Sequence, residues 1–212
     1  IGGSMGGMQA LEWAIINPNI TENLILLATN AQHSPWGIAF NEAQRMALEA
    51  DSTWKEHRPD AGQKGLRAAR SIALLSYRDY GAYWKTQLDT DIEKTDHYKA
   101  QSYQQYQGDK LVERFNPHSY YYLLKAMDSH HVGRGRDGVE NALKKVKART
   151  LVIGVSSDYL FPVVEQKRVA EGINDGQYAE VNSFYGHDGF LIETKAITEI
   201  IEDFFISHSI TF

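Results

Sequence analysis

Ser4 stands in Gly2-Gly3-Ser4-Met5-Gly6, a Gly-x-Ser-x-Gly run that passes directly into the helix-forming stretch Gln9-Ala10-Leu11-Glu12-Trp13-Ala14. A sharp strand-to-helix turn can present such a serine as a covalent nucleophile, and that turn needs small residues two before and two after it, because a Cβ nearby would clash. Glycine and serine also build ordinary turns, so the motif needs partners elsewhere in the chain. Two are present. Asp158 lies in Ser156-Ser157-Asp158-Tyr159-Leu160-Phe161-Pro162, and His187 lies further on in Tyr185-Gly186-His187-Asp188-Gly189-Phe190-Leu191. A serine hydroxyl is a poor nucleophile until an imidazole takes its proton, and a carboxylate fixes the imidazole tautomer and stabilises its cation. Ser4, His187 and Asp158 fit those three roles. The backbone N–H of Met5, next after the nucleophile, is the candidate oxyanion donor.

These residues need elements to hold them. The continuous apolar runs at 24–28 and 151–155 read as buried strands, with a weaker one at 177–181, and the apolar spacing of 196–205 reads as a helix packed on the sheet. Helices alternating with buried strands predict a mostly parallel α/β sheet from residues 1–31 and 146–212. Between them, 32–145 is rich in Tyr and Trp and shows helical spacing at 40–50, 65–77 and 120–128, which predicts a helical lid inserted into the sheet domain. The order Ser, Asp, His, each after a strand, is that of the α/β-hydrolase fold. In that fold the elbow follows a central strand and an earlier loop gives the second oxyanion donor. The expectation is therefore the C-terminal part of a longer protein, with N-terminal strands missing from this chain.

Bulk properties narrow the choice. A length of 212 residues suits one domain, or one with an insertion. The formal charge of -5 gives no electrostatic footprint for nucleic acid, so the tyrosines of 77–122 are expected to pack helices and subunits and not to stack bases. Neither a membrane span nor a leader is legible, and a cytoplasmic location is expected. With no cysteine there is no thiol competitor for Ser4 and no cysteine metal site. His130-His131 are adjacent, so their side chains diverge, and no metal is expected there; a surface role is, with His33, His57, His97, His118 and His208 taken as structural. The charges of 89–94 read as a solvated face.

The sequence as a whole resembles the homoserine O-acetyltransferases of the α/β-hydrolase superfamily. The likeness runs through residues 2–13, Phe115-Asn116-Pro117, Ala126-Met127-Asp128, Ser156-Ser157-Asp158, Leu160-Phe161-Pro162 and Gly186-His187-Asp188-Gly189-Phe190-Leu191. It implies acetyl transfer from acetyl-CoA, a co-substrate and not a resident cofactor, to the hydroxyl of L-homoserine through an acetyl-serine in methionine biosynthesis, and a homodimer joined through the lid helices. It also implies that Arg70 holds the homoserine carboxylate, that Tyr77 faces the same pocket, and that Asp188 holds the ammonium. The family often carries alanine where Gly189 stands, and glycine there should only loosen the loop. Succinyl-CoA as donor, serine as acceptor, hydrolysis by the same residues, and a noncatalytic fragment are the alternatives.

Overall fold

The computed structural model describes residues 1–208. The chain begins with β1 (Gly2–Gly3), α1 (Met5–Ile16) and β2 (Asn23–Leu27). It continues through α2 (Pro35–Glu49), α3 (Gln63–Tyr77), α4 (Tyr80–Gln87), α5 (Lys99–Val112) and α6 (Pro117–Asp128). It returns through α7 (Val139–Leu143), β3 (Arg149–Val155), α8 (Val163–Gly172) and β4 (Gly176–Val181). A 3₁₀ turn at Gly186–Asp188, α9 (Gly189–Ile192) and α10 (Thr194–Ser207) complete it. The described residues form two compact units, one from 1–33 with 130–208 and the other from 34–129.

In the first unit the strands lie in the order β1-β2-β3-β4, all parallel. Leu26 pairs with both Gly2 and Val152, and Val152 with Tyr178. Parallel neighbours need crossover connections, and helices laid over both faces leave the middle strands no polar side. That accounts for the apolar run 24–27 of β2, whose alternate residues serve opposite cores. Leu24 and Leu26 pack with Leu11, Ile15, Leu143 and Val169 from α1, α7 and α8. Ile25 and Leu27 pack with Leu151, Ile153 and Val181, and with Ile197 and Phe204 from α10. The chain enters this unit's second part at 130, earlier than the 146 expected from sequence, because Val132, Val139, Ala142 and Leu143 are buried in the α1-side core.

The second unit is helical. Leu48, Leu66, Ala69 and Leu111 make its core, with Trp54, Phe115, Tyr120 and Tyr121 packed against them. Local chemistry starts several of its helices. Ser34 caps α2 by accepting from the Gly37 N–H, Asp79 caps α4, and Asn116 caps α6, with proline at the start of α2 and α6. Gly65 must be glycine, since a Cβ would sit 2.8 Å from the Leu48 backbone where α3 crosses α2. Arg45 of α2 is largely buried and joins Asp128 of α6 at 2.6 Å, while Asn41 Nδ2 donates to the other Asp128 oxygen at 2.8 Å. The expected solvated face at 89–94 carries a clasp: Lys94 bonds Asp89 at 2.6 Å, and Asp89 also accepts the Lys99 N–H that opens α5. These two donors hold the Asp89 carboxyl below its usual range.

Candidate active site

Four loops leave the C-terminal ends of the four strands, and three of them carry the residues singled out by sequence. Ser4 follows β1 with φ 52 and ψ −124, a conformation costing about 1–3 kcal/mol that persists only where its surroundings impose it. They do so here. The Ser4 N–H donates to Leu27 O at 2.9 Å, and the Ser4 carbonyl accepts the Gly7 and Met8 N–H groups that begin α1. A Cβ on Gly2 would strike the Gly6 carbonyl, one on Gly3 would come within 2.5 Å of Phe190, and one on Gly7 within 2.7 Å of Thr29. At Gly6 a Cβ would meet open space, so the steric demand expected two residues after the serine falls instead on Gly7.

Asp158 follows β3 and is 4% exposed. Its Oδ1 accepts the backbone N–H groups of Leu160 and Phe161 at 3.0 and 2.8 Å, which leaves Oδ2 for the His187 Nδ1 at 2.6 Å. Because a carboxylate only accepts, Nδ1 carries the hydrogen and Nε2 is left as the basic nitrogen. Nε2 lies 2.9 Å from Ser4 Oγ. The structure thus brings Ser4, His187 and Asp158 into one line of hydrogen bonds, in which the imidazole can take the serine proton. The His187 ring is fixed from two sides, stacked on Phe161 at 4.9 Å and met edge-on by Phe190 at 5.3 Å. The Gly186 N–H donates to Ser157 Oγ, and Gly186, at φ 65, makes the turn that delivers the histidine. Met5 is the first residue of α1, where the helix offers its N–H no carbonyl partner, so that donor is available to an oxyanion.

Asp188 follows His187 and is half-buried at the end of the 3₁₀ turn. Gly189 corrects an expectation. A Cβ there would stand 2.7 Å from Val155 Cγ1 and 3.1 Å from Ser183 Oγ, so the glycine brings the loop tight against β3 and does not loosen it. Gly189→Ala is expected to cost about 1–3 kcal/mol of stability through overpacking. Urea unfolding of the two proteins measures this, and equal midpoints with equal slopes would show that the loop accommodates a methyl.

Arg70 and Tyr77 belong to the second unit, both on α3. The Arg70 guanidinium carbon lies 5.5 Å from the centre of the Tyr77 ring, and its buried Nε has no hydrogen-bond partner. A buried guanidinium donor without an acceptor is costly, and an anionic ligand would satisfy it. Tyr120 completes this neighbourhood, a residue that sequence reading passed over. Its hydroxyl donates to Gln44 Oε1 at 2.6 Å, and burial, aided by Tyr77 and opposed by Arg70, holds the phenol well above its usual range.

The histidine pair differs from the surface role expected of it. His130 Nε2 donates to Asn30 O at 2.9 Å and so ties the returning chain to the loop after β2, while His131 Nδ1 accepts the Gly133 N–H within the returning chain itself. Burial lowers the His130 pKa against the pull of that hydrogen bond. In the same region Asn30 Nδ2 donates to Glu165 at 2.8 Å, and burial, with the nearby Asp158 charge, raises the Glu165 carboxyl pKa. Neither contact of Asn30 had a sequence signal, since each joins residues far apart along the chain.

A parallel sheet with a strained serine after a strand, and an acid and a histidine on later strand loops, is the architecture of an α/β-hydrolase. Esterase E22 shares it with a TM-score of 0.85 at 21% identity, over 96% of this chain and 59% of that one. The homoserine O-acetyltransferase of Bacillus anthracis does so with a TM-score of 0.85 at 22% identity, over 96% and 58%. No family model matches the sequence. Within this class the chain is a homologue of the homoserine O-acetyltransferases: it is 48% identical over 209 residues to the protein of that name from Cyclobacterium marinum, across 99% of this chain. It spans 59% of that relative's length.

Proposed function

We propose that the full-length protein transfers an acetyl group from acetyl-CoA to the hydroxyl of L-homoserine through an acetyl-Ser4 intermediate. The observation that carries this reading is the hydrogen-bonded line Ser4–His187–Asp158, in a chain whose curated relatives are named for that activity. Ser4 Oγ attacks the thioester carbonyl as its proton passes to His187 Nε2, and the Met5 N–H steadies the oxygen that becomes negative. Collapse breaks the carbon–sulfur bond, and the CoA sulfur leaves with the proton from His187. The homoserine hydroxyl then gives its proton to Nε2 as its oxygen attacks acetyl-Ser4, and collapse returns that proton to Ser4 Oγ. No resident cofactor or metal enters these steps.

Arg70 would hold the acceptor carboxylate beside Tyr77, and Asp188 its ammonium; a guanidinium fork matches a carboxylate in a way an ammonium does not. A homodimer built on the helices of the second unit, and a place in the cytoplasm for an enzyme of methionine biosynthesis, belong to the same reading. Among the described residues no helix is long and apolar enough to cross a membrane.

The test is rapid mixing of the full-length protein with acetyl-CoA alone. Free CoA should appear and the Ser4 peptide should gain an acetyl group, which homoserine then removes as O-acetylhomoserine. Absence of the adduct would overturn the covalent route, and acetate as the sole product would make the protein a hydrolase. Arg70→Ala or Asp188→Asn should weaken acetyl transfer to homoserine about ten- to hundredfold while sparing acylation, since each removes one charge-assisted contact. Arg70→Lys should restore little. Single-turnover rates for the two half-reactions separate the cases, and an equal loss in both would remove these residues from the acceptor site.

A further inference from the structure

The peptide that joins Ser4 to Met5 holds two atoms of interest on one rigid plane: its nitrogen is the Met5 donor, and its oxygen is the Ser4 carbonyl. Whatever fixes the oxygen therefore aims the N–H. Three groups donate to that oxygen. Gly7 N and Met8 N do so at 3.0 and 3.2 Å as part of α1, and Thr29 Oγ1 does so at 2.8 Å from the loop after β2. The two helical donors already satisfy the carbonyl, so the hydroxyl is not needed to pair a buried acceptor.

Thr29 is itself held on every side. It is fully buried, and its Cβ, Cγ2 and Oγ1 occupy the space that a side chain on Gly7 would need, 2.7–2.8 Å from where that Cβ would stand. The preceding residue, Ala28, sits at φ 44, with its N–H bonded to Ile153 O of β3. The Thr29 carbonyl accepts Gln166 Nε2 of α8 at 2.7 Å, and Gln166 is also fully buried. At the next residue Asn30 reaches Glu165, so α8 grips the loop at two successive positions.

We infer that Thr29 is a positioning residue for the oxyanion donor: its hydroxyl, anchored through Gln166 to α8, fixes the tilt of the Ser4–Met5 peptide and so directs the Met5 N–H at the acyl oxygen. The hydroxyl also withdraws electron density from the carbonyl, and hydrogen bonds in a chain strengthen one another, so the Met5 N–H becomes the stronger donor. This inference rests on the proposed acyl-Ser4 chemistry.

Thr29→Val keeps the shape of the side chain and removes the hydroxyl. In the full-length protein, with acetyl-CoA and separately with p-nitrophenyl acetate, it should slow single-turnover acylation of Ser4 about tenfold with the KM for acetyl-CoA nearly unchanged. Affinity for a trifluoromethyl ketone, whose adduct on Ser4 carries a negative oxygen, should weaken by a similar factor. Thr29→Ser returns the hydroxyl and should recover acylation to within about threefold of the parent. Gln166→Leu, which frees the Thr29 carbonyl, should move the rate in the same direction by less. A Val variant that acylates normally, a loss confined to KM, or a Ser variant no better than Val would overturn the inference. A parent protein that never acquires acetyl on Ser4 would overturn the functional reading itself, and this inference with it.

Discussion

Ser4→Ala is expected to lower turnover of the full-length protein by at least about a thousandfold and to remove the acetyl adduct altogether. His187→Ala should cost as much, because the hydroxyl and the imidazole act as one unit: the serine without its base is nearly inert, and the base without its serine has nothing to activate. The 2.9 Å separation of Nε2 from Ser4 Oγ is already a reacting distance, so no rearrangement is needed to bring them together. The double variant should be scarcely slower than either single one, and that non-additivity separates a shared chemical step from two independent losses of binding. Steady-state turnover with mass measurement of the Ser4 peptide reads both. Turnover near the parent's in either single variant would reject that residue's role.

The parts of this molecule that the sequence revealed are those where one physical demand selects residue types. Burial of β2 and β3 on both faces requires apolar runs, and those runs stand out at 24–28 and 151–155. α3 and α10 each bury an apolar side, so their apolar residues recur at helical spacing, whereas the buried side of α2 carries Asn41, Gln44 and Arg45 beside Leu48. α4 and α5 bury little, chiefly Ala82 in the first and Gly108 and Leu111 in the second, and their polar sequence gave no period to read. β1 is two glycines long and is a strand only by pairing with Leu26 and Leu27. The return at 130 carries no sequence signal because no strand begins there; an irregular stretch before α7 buries its few apolar side chains instead.

The site divides in the same way. Ser4, Asp158 and His187 were legible because a serine nucleophile needs a base and an acid of few possible types and the fold restricts their order. Thr29 and Gln166 were not, because each acts on a backbone carbonyl, of Ser4 and of Thr29, and a carbonyl has no residue type to mark it. Phe161 and Phe190 lay inside the recognised motifs, yet nothing in the sequence said that they would face the two sides of His187.

The acid gives the other large effect, by a different route. In Asp158→Asn the two backbone N–H groups of Leu160 and Phe161 still require an acceptor, so the amide oxygen must take the place of Oδ1. The amide NH₂ then occupies the position of Oδ2, facing His187 Nδ1, and two donors cannot share one hydrogen bond. The ring escapes by shifting its hydrogen to Nε2, which places an N–H toward Ser4 Oγ where a lone pair is needed. Packing is unchanged, so the fold should survive while turnover falls on the order of ten-thousandfold. Mutual support of the two orientations makes the prediction strict: flipping the amide to relieve His187 would leave two buried N–H groups facing an NH₂, at a cost of about 1–3 kcal/mol for each unsatisfied donor. Turnover, measured with an unfolding midpoint on the same sample, decides the matter, and a variant that is fully folded and nearly as fast as the parent would show that Asp158 neither sets the tautomer nor supports the imidazolium.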